Sequence, residues 1–249
     1  MDDYTDHVDI KDSIDNKLKV MKKVISFCIY GNLIKYTIGL IKNIEIINSK
    51  YPEWEIYIYY FNIPDNIFNI LKKQKNCSCF PCKHMGYNWE GMFWRFYPIE
   101  YDIDIMLSRD TDSRITEREM VLVNQWIDSD KTFHIIRDHR GHRIEILGGT
   151  WGCKVKQFQE RYNIKKIDDY INIYYKRFKK KINKDPDQYF LKENIYPLIK
   201  NDNMSHISLE YVRYSEKDII INKCQGNFIG KDIKVNMKLM SKVLRKYKS

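Results

Sequence analysis

The sequence predicts a single α/β domain, in which a central, mostly parallel sheet is flanked by helices. Residues 24–30 are rich in β-branched and aromatic side chains and end at a glycine, and residues 34–47 then carry isoleucines at helical spacing. Residues 55–60 are predicted to form a second strand, and residues 64–75 a second helix that opens with proline. Two strand–helix units in succession favour parallel strands with helices on both faces of the sheet.

The composition is typical of a folded protein. The chain has 249 residues, of which 43% are hydrophobic and 14% aromatic, and this excludes disordered, collagen-like and coiled-coil classes. The longest uncharged stretches, residues 24–34 and 56–64, are shorter than the ~20 apolar residues that a membrane-spanning helix needs. The first residues are acidic where a secretory signal would be basic. We therefore expect a cytoplasmic protein without a signal peptide or transmembrane segment.

The charge is unevenly distributed along the chain. Basic side chains outnumber acidic ones by 43 to 33, and the net charge of +10 attracts polyanions, phosphates or anionic membranes without choosing among them. We expect a polar arm at residues 1–22, the α/β domain at residues 23–230, and a basic C-terminal helix or tail at residues 231–249. That basic helix is a candidate for peripheral membrane contact. A basic nucleic-acid-binding module without catalysis is the non-enzyme alternative, and its binding would weaken steeply with salt.

Further elements follow from the same patterns. Thr116 and Glu119 form a capping box that predicts the start of a helix. The polar loop after the next strand carries His139 and His142, which we expect to be solvated. Strands are predicted at residues 103–108, 132–136 and 206–212, and helices at 116–129, 153–161, 167–182, 185–199 and 234–247.

Three cysteines lie close together in the segment after the second predicted helix. Cys77, Cys79 and Cys82 are expected in a loop, where they could bind zinc if His84 joined them. The spacing is too cramped for a zinc site made of two cysteine knuckles. Reduced thiols are the simpler interpretation in a chain without an export signal.

Two aspartates, Asp110 and Asp112, directly follow the predicted strand at residues 103–108. In open α/β sheets the ligand crevice lies beyond the carboxyl ends of the strands, so these carboxylates are expected to point into a ligand site. Two carboxylates at this spacing can hold one hard divalent cation together with phosphate oxygens of a substrate. Such a cation would neutralise the charge on a leaving diphosphate. The alternative is a solvated turn in which Asp112 caps the next helix.

At these residues the sequence resembles the metal-dependent glycosyltransferases of the GT-A fold, especially the glycogenin-like family 8 enzymes. An arginine-bearing helical segment at residues 93–98 precedes the strand that ends in the aspartate pair. Residues 146–152 are similar to the glycine-bearing segment beside the donor sugar, and Asp187-Gln188 to the D-Q pair that starts a later helix. The family's H-x-x-G-x-x-K-P-W element is absent, and its nearest counterpart is residues 226–231. The ordered motifs span residues 23–230 and imply a GT-A-like, Rossmann-like sheet.

The resemblance implies a role for each matched residue. Asp110 would lie near the ribose and the metal, Asp112 would be the principal metal ligand, and His206 is the candidate third ligand. Arg95 would contact the nucleotide or diphosphate, for which a planar guanidinium is well suited. Asp187 would orient acceptor or sugar hydroxyls, and it would be the general base if the reaction inverts. The donor is further expected to meet Tyr30 and Gly31 beside the base, and Gly148 and Gly149 beside the sugar.

Structural alternatives remain for these residues. Arg95 lies among aromatic side chains and could only stack on them. The two glycines at 148 and 149 could form a tight turn, and Asp187 could be a charge favoured by a helix N-terminus. His206 could be a surface or hydrogen-bonded histidine.

The function that the resemblance implies is transfer of a sugar from a nucleotide-sugar donor, with a UDP-sugar favoured, to a hydroxyl of a glycan or protein acceptor. The reaction would be of the hexosyltransferase type and would use Mn²⁺ or Mg²⁺. The alternative enzyme classes are nucleotidyltransferases and phosphohydrolases, which can use the same carboxylate pair. No nucleic-acid partner is expected.

Overall fold

A computed structural model describes residues 20–83, 89–178, 185–208, 217–222 and 227–247. Within these residues, eight strands form one sheet. They are β1 (Lys23–Tyr30), β2 (Trp54–Phe61), β3 (Cys77–Pro81), β4 (Ile105–Arg109), β5 (Phe133–Arg137), β6 (Thr150–Lys154), β7 (Asn203–Ser208) and β8 (Ile219–Ile221). Their order across the sheet is β3-β2-β1-β4-β6-β5-β7-β8.

The sheet is mostly parallel, as the sequence predicts. β1 pairs in parallel with β2 and β4, β2 with β3, and β7 with β5 and β8. β6 is the exception, because it runs antiparallel to both β4 and β5. The α/β fold class is therefore confirmed, with one reversed strand in its centre.

Helices cover both faces of the sheet. They are α1 (Ile34–Lys50), α2 (Asp65–Lys72), α3 (Gly91–Trp94), α4 (Glu117–Ile127), α5 (Val155–Tyr162), α6 (Ile167–Phe178), α7 (Pro186–Phe190), α8 (Tyr196–Ile199) and α9 (Met237–Lys246). Neighbouring residues of β1 contribute to opposite faces: Val24 packs with the core under α3, α5 and α6, and Ile25 with the core under α1, α2 and α4. Among the described residues, no helix is both long and apolar enough to cross a membrane.

The capping box at the start of α4 is confirmed by one hydrogen bond. Thr116 Oγ1 accepts from the backbone N–H of Glu119 at 3.1 Å, and the helix begins at Glu117. The Glu119 carboxylate instead pairs with the buried side chain of Arg109.

The cysteine segment is a strand and not the expected loop. Side chains of a strand alternate between its faces, so Cys77 and Cys79 pack towards one core and Cys82 towards the other. This alternation keeps the three thiols from converging on one zinc ion. His84, the fourth candidate ligand, lies outside the described residues.

Several element boundaries also differ from the sequence prediction. Cys153 and Lys154 belong to β6 and not to a helix, because they pair with β4. The helix predicted at 185–199 is divided by a π-helical turn at Leu191–Ile195. Residues 179–182 and 209–212, at the ends of a predicted helix and strand, lie outside the described part of the chain, as do residues 1–19 of the expected arm.

The basic C-terminal helix α9 packs against the domain. Val243 is buried in the core that α1 and α2 cover, and Leu239, Met240 and Leu244 pack against the same core. Lys246 Nζ also lies 2.9 Å from Glu45 Oε1 on α1. The expected membrane contact gains no support, because the apolar side of this helix faces the protein.

Candidate active site

A cavity of about 300 Å³ opens at the carboxyl ends of β1 and β4. This is the place that the open α/β sheet favours for a ligand. Elements far apart in the sequence form its walls: the end of β1, α3, the loop after β4, the segment before β6, and α7. The predicted site residues that line it are Tyr30, Arg95, Asp110, Asp112, Gly148 and Asp187.

Arg95 joins two carboxylates at the base of the cavity. Its Nη1 donates to Asp110 Oδ1, and its Nη2 donates to Asp187 Oδ2 at 2.5 Å. The guanidinium also lies 5.8 Å from the Phe96 ring, so the stacking alternative is present in addition to the ion pairs. Arg95 comes from the end of α3, Asp110 from the loop after β4 and Asp187 from the first turn of α7. One side chain thus fixes three elements of the site.

Asp187 combines deep burial with an unused oxygen. The residue is 2% exposed, and burial raises the pKa of its carboxyl although Arg95 opposes the shift. Its Oδ1 is buried and accepts no hydrogen bond from the described residues. Buried carboxylate oxygens normally have partners. An oxygen of this kind at a cavity wall is suited to accept a hydrogen bond from a ligand hydroxyl.

The two glycines before β6 allow side chains to approach the backbone. A Cβ on Gly148 would overlap Asp187 Oδ2 and Arg95 Nη2, and a Cβ on Gly149 would overlap the Asp110 carboxylate. Ser108 Oγ also donates to the carbonyl of Gly148 at 2.7 Å. The segment is therefore packed directly against the charged residues, and a side chain at either position would displace them.

Asp112 and Asp232 both contact the ammonium group of Lys35. Sequence analysis selected neither Lys35 nor Asp232. Lys35 Nζ lies 2.5 Å from Asp112 Oδ2 and 2.8 Å from Asp232 Oδ2. Burial raises the pKa of Asp112, whereas the hydrogen bond from Lys35 opposes that shift. Asp232 directly follows residues 226–231, which are the nearest counterpart of the absent H-x-x-G-x-x-K-P-W element. This position is the sequence feature that could have selected Asp232 as a site residue. Lys35 lies in the first turn after β1, where no motif marked it.

A buried asparagine holds the loop that carries Asp112. Asn43 of α1 donates from Nδ2 to the Ser113 carbonyl at 3.0 Å and accepts at Oδ1 from the Ile115 N–H at 3.3 Å. Gly39, one turn earlier, leaves room for the Thr111 carbonyl. Helix α1 therefore sets the position of the loop after β4.

His142 lines the cavity, contrary to the expectation of a solvated loop histidine. Burial lowers its pKa to about 4, so the imidazole is neutral near pH 7. Its Nδ1 is buried without a hydrogen-bond partner among the described residues. His139, the other loop histidine, stacks on Phe228 with ring centroids 3.9 Å apart.

His206, Gly31 and Gly149 are the predicted site residues that do not line the cavity. His206 is buried on β7, with Nδ1 2.8 Å from His134 Nε2 and Nε2 3.1 Å from Gln125 Oε1. Both ring nitrogens of His206 therefore have hydrogen-bond partners. This matches the structural alternative of a hydrogen-bonded histidine. Gly31 has a φ of 71° and borders a separate shallow depression with Asn62.

The carboxylates of the cavity fit a hard divalent cation. In the described part of the chain, no three acidic, histidine or cysteine side chains converge as a complete metal site. Mg²⁺ and similar ions are commonly held by one or two carboxylates plus substrate phosphates, so a complete protein site is not required. The Lys35 ammonium between Asp112 and Asp232 shows that their oxygens can share one cation.

Comparisons with known proteins identify the fold. No protein-family model matches the chain, and no curated protein matches it. An active-site mutant of LgtC aligns with a TM-score of 0.51 at 11% identity, covering 90% of this chain and 95% of that chain. GlyE from Streptococcus pneumoniae TIGR4, a glycosyltransferase, aligns at 0.49 with 17% identity, covering 74% of this chain and 45% of GlyE. The mannosyltransferase PcManGT from Pyrobaculum calidifontis, in complex with GDP-Man and Mn²⁺, aligns at 0.47 with 7% identity, covering 83% and 58% respectively.

The likeness to LgtC confirms the GT-A-like, Rossmann-type fold, and at this identity it shows the fold alone. The present chain spans 45% of the length of GlyE.

Proposed function

We propose that the chain is a metal-dependent glycosyltransferase that transfers a sugar from a nucleotide-sugar donor, with a UDP-sugar favoured, to a hydroxyl of a glycan or protein acceptor. The observation that carries the proposal is the convergence of Arg95, Asp110 and Asp187 at the strand ends of a GT-A-like sheet. These residues come from separate elements, and the cavity beside them is lined by Asp112 and Gly148.

Asp110 and Asp112 would hold Mn²⁺ or Mg²⁺, and Asp232 is a third oxygen donor beside them. When bound, the ion would supply Lewis-acid neutralisation of the leaving diphosphate. Arg95 holds Asp110 and Asp187 in fixed positions and lines the cavity where the donor would lie. This arrangement supports donor binding by preorganised charges.

Asp187 would accept a hydrogen bond from a donor or acceptor hydroxyl at its unused Oδ1. Its raised pKa suits proton transfer if the reaction inverts. The backbone at Gly148 and Gly149 would border the sugar. Tyr30 lies edge-on to Trp94, with ring centroids 5.9 Å apart, and would form the wall beside the base.

The test is thermal unfolding with a panel of UDP-, GDP-, CMP- and TDP-sugars, each with and without Mn²⁺. A ligand that binds only the native state raises stability, by about 2.7 kcal/mol at one hundred times its Kd. We expect a metal-dependent shift with one donor, and its loss in Asp112→Asn. Asp130→Asn is the matched control, because Asp130 is exposed and pairs with the neighbouring Lys131.

The absence of a shift with every donor would contradict the proposal. Product analysis separates the enzyme classes that share a carboxylate pair. A glycosyltransferase releases a nucleoside diphosphate from a nucleotide sugar, whereas a nucleotidyltransferase releases pyrophosphate from a nucleoside triphosphate. Nucleic-acid binding that falls steeply with salt and survives Asp112→Asn would favour the basic binding module.

A further inference from the structure

Lys35 places a positive charge where the metal-binding oxygens lie. Lys35 lies in the first turn of α1, and its ammonium contacts Asp112 Oδ2 at 2.5 Å and Asp232 Oδ2 at 2.8 Å. These carboxylates come from the loop after β4 and from the segment before α9. A single ammonium therefore bridges two chain segments at the rim of the cavity.

The bridge is part of a built arrangement and not an isolated surface contact. The backbone N–H of Ile233 donates to the carbonyl of Asp112 at 2.8 Å, and this bond holds the segment containing Asp232 against the Asp112 loop. The Asp112 side chain is 11% exposed, whereas Lys35 is 38% exposed. The carboxylate is thus fixed, and the lysine stem has solvent into which it can move.

The carboxylates of the cavity and a bound diphosphate together carry more negative charge than Arg95 can balance. Arg95 is already engaged by Asp110 and Asp187. Lys35 supplies the positive charge beside Asp112 and Asp232. A nucleoside diphosphate would bring further negative charge, so two cations near the phosphates are favoured over one.

We propose that Lys35 is an exchangeable resident cation of the donor site. Its ammonium bridges Asp112 and Asp232 in the metal-free protein. When these carboxylates hold a divalent cation, the Lys35 ammonium would leave them and bind an oxygen of the donor diphosphate. The inference rests on the proposed function, which supplies the diphosphate. Lysine suits this exchange because its ammonium is a compact charge on a flexible four-carbon stem, and repulsion by the metal ion favours its release.

The first test measures Mn²⁺ binding to the full chain without nucleotide. The electron paramagnetic resonance signal of free Mn²⁺ reports how much of the ion remains unbound. Lys35→Met removes the competing charge, and we expect it to bind Mn²⁺ roughly fivefold more tightly, the size of one partly exposed charge pair. Lys42→Met is the matched control, because Lys42 lies on the same helix and pairs with Glu45 at 2.6 Å. Its Mn²⁺ affinity should equal that of the unmodified protein.

The second test is titration with UDP, and separately with GDP, at saturating Mn²⁺. Lys35→Met should weaken binding of the nucleotide by about tenfold, because a charge-assisted contact to the diphosphate is lost. The opposite signs of the two effects distinguish exchange from a merely structural role. Unchanged or weaker Mn²⁺ binding in Lys35→Met overturns the exchange, and undiminished nucleotide binding overturns the contact with the diphosphate.

Asp232→Asn provides a second variant that does not endanger folding, because its side chain is 69% exposed. It should weaken Mn²⁺ binding, and unchanged binding would overturn the role of Asp232 in the bridge. The proposed function fails if neither UDP, GDP nor any other nucleotide of the donor panel binds the unmodified protein. The Mn²⁺ titrations then still decide whether Lys35 competes with the metal.

Discussion

Arg95 and Asp187 form a buried ion pair, 2.5 Å from Nη2 to Oδ2, between residues that lie 92 positions apart in the chain. The other terminal nitrogen of the same guanidinium binds Asp110. Because α3, the β4 loop and α7 meet at this side chain, the pair determines the geometry of the site as well as its charge. A guanidinium can bind both carboxylates at once, whereas a lysine ammonium cannot match this planar geometry.

We expect Arg95→Met to destabilise the protein by about 3–5 kcal/mol, because the change leaves the buried Asp187 without its cation. Urea unfolding followed by tryptophan fluorescence measures this loss. Arg95→Lys keeps the charge and should lose less stability than Arg95→Met. Equal stability of Arg95→Met and the unmodified protein would show that the pair does not support the fold.

Gly148 gives a second prediction, because its missing side chain makes space for this ion pair. Gly148→Ala would push a methyl group into Asp187 Oδ2 and Arg95 Nη2, and we expect a loss of about 1–3 kcal/mol in the free energy of unfolding. Donor-dependent thermal stabilisation should fall with it. Gly141→Ala is the control, because Gly141 is exposed and its Cβ would lie no nearer than 3.1 Å to a neighbouring atom, His139 Nδ1. A similar loss in both variants would contradict the packing argument.

Much of the sheet could be predicted because its strands are short apolar runs between turns and helices. β3, β6 and the three-residue β8 could not be recognised in the same way. β3 is an edge strand whose cysteines suggested a loop, and its strand conformation depends on pairing with β2. β6 contains Gly152, and its reversed direction is fixed by bonds to β4 and β5 on either side. Such pairing is a tertiary effect that local patterns do not encode.

The predictable part of the site was the part that lies next to a recognisable strand or helix. Asp110 and Asp112 follow β4 directly, so their position at the strand end could be derived. Lys35 and Asp232 meet only after α1 and the C-terminal segment have packed beside each other. The role of Asn43 could not be predicted from the sequence either, because it depends on contact with a loop 70 residues away.

His206, which the ordered motifs select as a candidate third metal ligand, lies apart from the cavity lining. Its ring contacts Gln125 of α4, and it is buried against His134 of β5. The cavity lies elsewhere, at the carboxyl ends of β1 and β4. The sequence predicts a strand here, whereas the partners of the ring are set by the packing of β7 against β5 and α4.

The buried histidine pair predicts how stability changes with pH. Burial lowers the pKa of His206 to about 4, and burial together with His206 lowers the pKa of His134 well below its usual value. The unfolded chain takes up protons near pH 6.5, whereas the folded pair remains neutral. The pair therefore contributes its full stability above pH 6.5, and this contribution is lost as the pH falls towards 4.

Between pH 7 and pH 5 we expect the free energy of unfolding to fall by about 2 kcal/mol through His206 alone. Urea unfolding at both pH values measures the difference. His206→Gln removes one titrating ring and should make this fall smaller by about 2 kcal/mol, although the variant is less stable at pH 7. Part of the slope should remain, because burial also lowers the pKa of His134 and of His142. A slope as steep in His206→Gln as in the unmodified protein would contradict the prediction, because the substituted position no longer binds a proton.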